Sequence, residues 1–204
     1  MPSNIIFDWS GVIKDCVVDQ VAIVNKIFKE FGAKEITLVE FQENWIQPYM
    51  LFYNKYLPNL TIEEETSAYK RAIAESPKAK QYPGISDLIK KAKESGKKIA
   101  VLSSDQPETI IKEIKDFGLE GAFDDMILDA HDKQEGIFDL MARNNFDKAD
   151  TVFIGDSNHE IEVGRSAGIK TVAVTWGFSL EGQLKQRNPD YIVHNLDELR
   201  TVIF

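Results

Sequence analysis

The stretch IIFDWSGVIKD, residues 5–15, decides the fold, because an apolar run ends in a carboxylate and then turns. The first three residues of the stretch are typical of a buried strand. Asp8 stands where that strand ends, and Ser10 and Gly11 form the turn after it. In open parallel sheets, ligands bind beyond the carboxyl ends of the strands. The stretch therefore predicts a functional carboxylate at the edge of a sheet.

Length and composition indicate a globular protein. The 204 residues are enough for one buried core, or for a core with a small second lobe. The hydrophobic fraction of 43% and the charged fraction of 28% are ordinary for such proteins. A net charge of -9 argues against a nucleic-acid partner, whose phosphates would be repelled. An anionic substrate would need a local lysine, backbone amides or a cation.

The early sequence and the cysteine count predict a cytoplasmic protein. Cys16 is the single cysteine, which excludes an internal disulfide and fits a reducing compartment. Asp8 interrupts the early apolar run, so no signal peptide is expected, and no stretch has the roughly 20 apolar residues of a membrane span. We expect no membrane partner and either a monomer or a homodimer.

Six short apolar runs read as buried strands and alternate with helical patterns. The runs cover residues 4–8, 98–102, 125–128, 151–154, 171–174 and 191–193. Strands that alternate with helices indicate βαβ units and a mainly parallel sheet. The predicted fold class is therefore α/β.

One segment interrupts this alternation, because residues 16–80 carry helical patterns throughout. Two capping boxes occur here, Thr37 with Glu40 and Thr61 with Glu64. Pro48 should kink or end the middle helix. We therefore expect a helical lobe at residues 16–80, inserted into a core of residues 1–15 and 81–204.

A helix start is predicted directly after the second strand. Asp105 as cap, Pro107 in the first turn and Glu108 as the capping-box acid all favour it. Ser103 or Ser104 is an alternative cap. The helix that follows should bury a stripe formed by Ile110, Ile111, Ile114 and Phe117.

Polar side chains follow four of the strands and should meet at one edge of a parallel sheet. Asp8 and Asp156 have the oxygen ligands that Mg²⁺ takes, and a cation would let carboxylates coexist with a phosphate. The Ser103 hydroxyl suits a phosphoryl oxygen. Lys133 suits a second oxygen and would keep Asp8 ionised. Asp8 is then placed to attack phosphorus, which gives an aspartyl-phosphate.

These residues resemble the motifs of a known superfamily. Asp8-Trp9-Ser10-Gly11-Val12, Ser103, Lys133 and the run Gly155 to Glu160 are similar, in this order, to the four motifs of the haloacid dehalogenase superfamily. The resemblance implies a Rossmann-like three-layer core with a parallel sheet, plus a small all-helical cap domain at the inserted segment.

The resemblance also implies a reaction and a set of site residues. A Mg²⁺-dependent hydrolase acting on a small phosphorylated metabolite is expected, with Asp8 as the nucleophile. The metal ligands would be Asp8, the Ser10 backbone carbonyl and Asp156. Glu160 replaces a more usual Asp and would support the metal directly or through water. The expected phosphate contacts come from Gly11, Ser103, Ser104 and Lys133.

Ser10 departs from the phosphatase pattern, in which a second Asp stands two residues after the nucleophile as general acid and base. Such catalysis is worth about 10²–10⁴-fold, or roughly 3–5 kcal/mol of barrier. A serine hydroxyl does not ionise near neutral pH. The catalytic set Asp8, Ser10 and Lys133 is therefore compatible with a phosphatase that uses good leaving groups or recruits another base. It is also compatible with a weakly active phosphate-binding or regulatory protein.

A third interpretation is a phosphonate hydrolase that cleaves a carbon–phosphorus bond. The first motif of that branch is similar to Asp8-Trp9-Ser10-Gly11, and its members use a cap lysine to form a Schiff base. Lys55, within an aromatic stretch of the helical lobe, is the lysine weighed for this role. A nucleophilic lysine needs partial desolvation, which lowers its pKa.

Overall fold

The computed structural model describes residues 1–130 and 132–204. None of the helices in these two ranges is long and apolar enough to cross a bilayer. In chain order the elements are β1 (Asn4–Phe7), β2 (Lys14–Asp15), α1 (Val17–Glu30), α2 (Leu38–Asn44), α3 (Met50–Tyr56), α4 (Ile62–Ala74), β3 (Lys80–Gln81), α5 (Ile85–Glu94), β4 (Lys98–Leu102), α6 (Pro107–Asp116), β5 (Asp125–Ile127), α7 (Lys133–Asn144), β6 (Thr151–Gly155), α8 (Asn158–Ala167), β7 (Lys170–Val174), α9 (Glu181–Gln186), β8 (Tyr191–Val193) and α10 (Leu196–Ile203).

The main sheet is six-stranded and wholly parallel, in the order β5-β4-β1-β6-β7-β8. This confirms the α/β class with a parallel sheet, and every predicted strand is present within one residue at each end. The chain leaves β1 toward β4 and β5 on one side and returns to β6 on the other. The strand order therefore changes direction at β1, which is where such sheets bind ligands.

Helices cover both faces of the sheet. Ile6, Ala100 and Phe153 point to one face and pack with the buried side chains of α7 and α8. On the remaining side, α5 contacts β4, and α10 contacts both α5 and β8. Because the strands are buried between helix layers, they are continuous apolar runs rather than alternating ones.

Helix α6 corrects two details of the prediction. Its N-cap is Gln106, which makes no side-chain capping bond, so Asp105 is not the cap. Pro107 does occupy the first turn, where its missing N–H costs nothing. Ile110 is fully buried, but Ile111 is 59% exposed, because it lies one residue outside the apolar stripe.

The chain divides into two compact units, Met1–Asp15 with Lys80–Phe204, and Cys16–Ala79. The prediction placed Lys80 in the helical lobe. In the structure Lys80 pairs with Asp15, because β2 and β3 form a small antiparallel sheet of the larger unit. Two strands of two residues each have no pattern that the sequence could reveal.

The smaller unit contains α1 to α4 and has its own core. Phe52 packs edge-on against Phe41 at 5.3 Å and lies stacked on Phe28 at 6.1 Å. Thr61 and Glu64 form the predicted reciprocal capping box at α4. Pro48 lies between α2 and α3, as expected of a residue that cannot continue a helix.

Candidate active site

Three adjacent strands end at residues that the sequence singled out. Asp8 follows β1, Ser103 follows β4, and Asp156 follows β6. β1 pairs with both neighbours, and paired strands lie about 4.8 Å apart. The three residues are buried, each with 5% exposure or less. The structure therefore gathers the predicted groups at the carboxyl edge of the sheet.

Lys133 reaches this edge from the first position of α7. The Asp132 side chain caps that helix by accepting from the amide of Gln134 at 2.8 Å. The Lys133 Nζ lies 2.9 Å from Oδ1 of Asp8 and 2.7 Å from Oε1 of Glu160. Lys133 is 1% exposed, so one buried ammonium bridges two buried carboxylates.

Glu160 is held by hydrogen bonds in the first turn of α8. Its Oε2 accepts from the backbone N–H of Ser157 at 2.9 Å and also from the Ser157 hydroxyl, and Ser157 is the N-cap. Because Oε1 accepts from Lys133, both carboxylate oxygens are engaged. The same capping box that starts α8 thus orients the salt bridge to Lys133.

A loop after β7 closes around Asp156. The backbone N–H of Phe178 donates to Oδ2 of Asp156 at 2.6 Å. A Cβ at Gly177 would lie 2.1 Å from that oxygen, and a Cβ at Gly11 would lie 2.0 Å from it. Gly11 also has a φ of +82°, which favours glycine. The Trp-Gly-Phe run after the fifth strand indicates packing near the edge of the site, but the sequence does not reveal that Gly177 and Phe178 contact Asp156.

Burial and mutual repulsion govern the ionisation of the cluster. Burial raises the pKa of Asp8 to about 7, although the Lys133 charge opposes that shift. Burial, together with Glu160 and Asp8, also raises the pKa of Asp156 well above its usual range. The pKa of Glu160 is lowered to about 2, because Lys133 and Ser157 outweigh its burial. Burial likewise disfavours charged Lys133, yet Asp8 and Glu160 raise its pKa well above its usual value.

These carboxylates fit a divalent cation. Asp8, Asp156 and Glu160 each offer an oxygen, and the three oxygens lie within 4.8 Å of one another. In the described ranges, Lys133 is the buried cation facing them, so three acids share one positive charge. A divalent ion would neutralise the excess negative charge, and carboxylate oxygens are the ligands that Mg²⁺ takes.

Ser10 has a partner that the sequence did not reveal. Its hydroxyl donates to Oδ2 of Asp105 at 2.5 Å, across 95 positions of sequence. The Asp105 backbone N–H in turn donates to the Ser103 hydroxyl at 3.1 Å. Asp105 is therefore part of this edge of the sheet and does not cap α6.

The structure also gives the surroundings of three further predicted residues, Ser104, Gly11 and Lys55. Ser104 is exposed beside the buried Ser103. The amide of Gly11 donates to the carbonyl of Lys14 at 2.9 Å and is thus engaged within its own turn. Lys55 is an exposed residue of the smaller unit whose ammonium donates to Asn44. The partial desolvation that a Schiff-base lysine needs is absent at Lys55.

Comparison with known proteins gives a consistent picture. Residues 5–174 match the model of the family described as haloacid dehalogenase-like hydrolase. A phosphoglycolate phosphatase from Synechococcus elongatus is 24% identical over 96% of this chain and 94% of its own length. The solved structure of a haloacid dehalogenase-like family hydrolase from Streptococcus pneumoniae is 21% identical, with a TM-score of 0.82 over 98% of each chain.

A second group of relatives matches over a shorter range. The pyrophosphatase PpaX from Halalkalibacterium halodurans is 29% identical over 127 residues, which are 60% of this chain. The matched part spans 59% of the length of that pyrophosphatase.

Proposed function

Because the chain belongs to the haloacid dehalogenase-like hydrolases, we propose that it is a Mg²⁺-dependent phosphatase acting on a small phosphorylated metabolite. One observation carries the proposal, the buried ion pair between Asp8 and Lys133 beside Asp156 and Ser103. A nucleophile, a cation and a hydroxyl that can donate a hydrogen bond to phosphate lie at one edge of the sheet. This combination suits phosphoryl transfer. The relatives named as phosphatases support the same reaction class.

In this proposal Asp8 is the nucleophile. One of its oxygens bonds to phosphorus while the bond from phosphorus to the leaving oxygen breaks, which gives an aspartyl-phosphate. Lys133 favours the ionised form of Asp8 against the effect of burial, and it neutralises a phosphoryl oxygen. The Ser103 hydroxyl donates to a second phosphoryl oxygen. Water then attacks phosphorus and releases Asp8 as a carboxylate.

Asp8, Asp156 and the backbone carbonyl of Ser10 would hold Mg²⁺, which supplies Lewis-acid stabilisation of the phosphoryl charge. Both oxygens of Glu160 are already hydrogen bonded, so we propose that Glu160 supports the ion through water. Gly11 contributes by allowing the close approach of Asp156. We propose that Ser104, exposed beside Ser103, also contacts the phosphate.

The setting of the reaction follows from composition. We propose a cytoplasmic protein, because the lone Cys16 and the acidic charge fit a reducing, aqueous compartment. The same charge opposes binding to nucleic acid. A monomer and a homodimer are both compatible with the proposed site, since every residue in it comes from one chain.

The direct test is turnover of an aryl phosphate with Mg²⁺, because its leaving group departs without protonation. Wild type should release phenolate, and Asp8→Asn should release none while it remains folded. Asp139→Asn, an exposed acid on α7, is the matched control and should behave like wild type. An active Asp8→Asn would contradict the proposal. An inert wild type that still binds phosphate would instead indicate the non-catalytic binding protein.

A further inference from the structure

Ser10 and Asp105 are joined by a direct side-chain hydrogen bond between the loop after β1 and the loop after β4. The Ser10 hydroxyl donates to Oδ2 of Asp105 at 2.5 Å, within the range of O–H···O hydrogen bonds. Ser10 stands two residues after the proposed nucleophile. The bond therefore connects a carboxylate, through one hydroxyl, to the place where an acid–base group is needed.

Asp105 is fixed in that position by its backbone. Its N–H donates to the Ser103 hydroxyl at 3.1 Å, and its carbonyl accepts from the amide of Asp129 at 2.9 Å. Its side chain does not cap α6, since the N-cap is Gln106. The carboxylate is thus held by two loops and directed to Ser10.

We propose that Asp105 is the positioning residue of Ser10 and the acceptor of its proton, so that the pair replaces the missing general base. This inference rests on the proposed function. The water oxygen bonds to phosphorus, and the bond from phosphorus to Asp8 breaks. A proton of that water passes to Ser10 Oγ as the Ser10 proton passes to Asp105, and Asp8 leaves as a carboxylate.

The two half-reactions depend on this pair differently. With an aryl phosphate, the leaving phenolate needs no proton, so formation of the aspartyl-phosphate does not use the pair. Attack by water does use it, because a neutral water is a poor nucleophile without a base. Loss of Asp105 should therefore slow the second step alone.

The experiment is burst kinetics of the full chain on an aryl phosphate with Mg²⁺, combined with acid quench to measure trapped phosphoenzyme. Asp105→Asn should keep the burst of phenolate, accumulate phosphoenzyme and lower steady turnover by about 10²-fold. Glu108→Gln, which removes a nearby exposed charge in the first turn of α6, should leave both phases unchanged.

Ser10→Ala provides the second arm, which also serves if Asp105→Asn fails to fold. Because the two residues act as a unit, Ser10→Ala and the double variant should be as slow as Asp105→Asn. The inference would be overturned if turnover were unchanged in either single variant or if the burst itself were lost. It would also be overturned if the double variant lost the product of the two single losses. None of these outcomes would contradict the proposed function. A wild type that releases no phenolate would overturn the proposed function, and this inference with it.

Discussion

Lys133 and Asp8 form a buried ion pair, in which Nζ lies 2.9 Å from Oδ1 and the side chains are 2% and 7% exposed. Lys133 also bridges to Glu160 at 2.7 Å, so one cation compensates two acids away from water. Breaking such a pair leaves a carboxylate both buried and unpaired, which is costly. The site should therefore depend on Lys133 for its stability as well as for its chemistry.

Lys133→Met should lower the free energy of unfolding by about 3–5 kcal/mol, because Asp8 and Glu160 lose their shared cation. Urea titration in metal-free buffer measures this loss. Lys112→Met, on the exposed side of α6, is the matched control and should change stability by less than about 0.5 kcal/mol. Equal stability of the two variants would show that Lys133 does not hold the cluster together.

Gly177→Ala should displace Asp156, since the new Cβ would meet Oδ2 at 2.1 Å and the Asp156 Cβ at 2.2 Å. A shifted ligand weakens metal binding, and changes to supporting groups commonly cost about 10–100-fold in affinity. Mg²⁺ titration calorimetry measures the loss. At Gly182 an added Cβ meets nothing within 4 Å, so Gly182→Ala should bind as wild type does. If Gly177→Ala bound Mg²⁺ as tightly as wild type does, Asp156 would not be a ligand of the ion.

Mg²⁺ should stabilise the wild-type fold, because an ion that binds only the folded state shifts the unfolding equilibrium. At 100 times the dissociation constant the gain is about 2.7 kcal/mol. Thermal melts with Mg²⁺, compared with KCl at equal ionic strength, measure it. Asp156→Asn should lose most of the Mg²⁺-specific gain. The same gain in Asp156→Asn as in wild type would place the ion elsewhere.

Glu65 should make the smaller unit less stable at high pH. Burial raises the pKa of Glu65 from 4.5 to about 7, against weaker opposition from the Tyr53 hydroxyl. The folded state therefore holds a proton that the unfolded chain has already released between these two values. The stabilising contribution is full below pH 4.5 and is lost as the pH rises through 7.

Glu65→Gln should consequently melt at a higher temperature than wild type well above pH 7, with the difference vanishing below pH 4.5. Melting curves across this range make the test. Glu63→Gln, exposed in the same first turn of α4, should show no such pH-dependent gain. A constant difference between Glu65→Gln and wild type at every pH would mean that the Glu65 charge is not the cause.

The sheet was predictable because its strands are buried on both faces and therefore stand out as apolar runs. The convergence of Asp8, Ser103 and Asp156 followed from topology, since parallel strands end at one edge. Short pairings such as Asp15 with Lys80 carry no periodic signal, so the limit of the helical lobe was one residue off.

Asp105 shows why parts of the site were not predictable. Asp105, followed by Pro107, matches the sequence pattern of a helix start. This pattern predicts that the Asp105 carboxylate accepts hydrogen bonds from the nearest backbone amides. In the structure, the Asp105 carboxylate instead accepts from the hydroxyl of Ser10, 95 positions away, because the loops after β1 and β4 meet. Gly177 and Phe178 were missed for a similar reason, since their contact with Asp156 depends on how the loop after β7 folds back.

Direct detection of a phosphoryl group on Asp8 tests whether this carboxylate is the nucleophile. Wild-type protein is mixed with an aryl phosphate and Mg²⁺, quenched in acid within the first turnover, digested at low pH and analysed by mass spectrometry. We expect one added phosphoryl group on the peptide that contains Asp8, and none in Asp8→Asn. Multiple turnovers with no phosphoryl group on that peptide, or with the group on another residue, would contradict that role for Asp8.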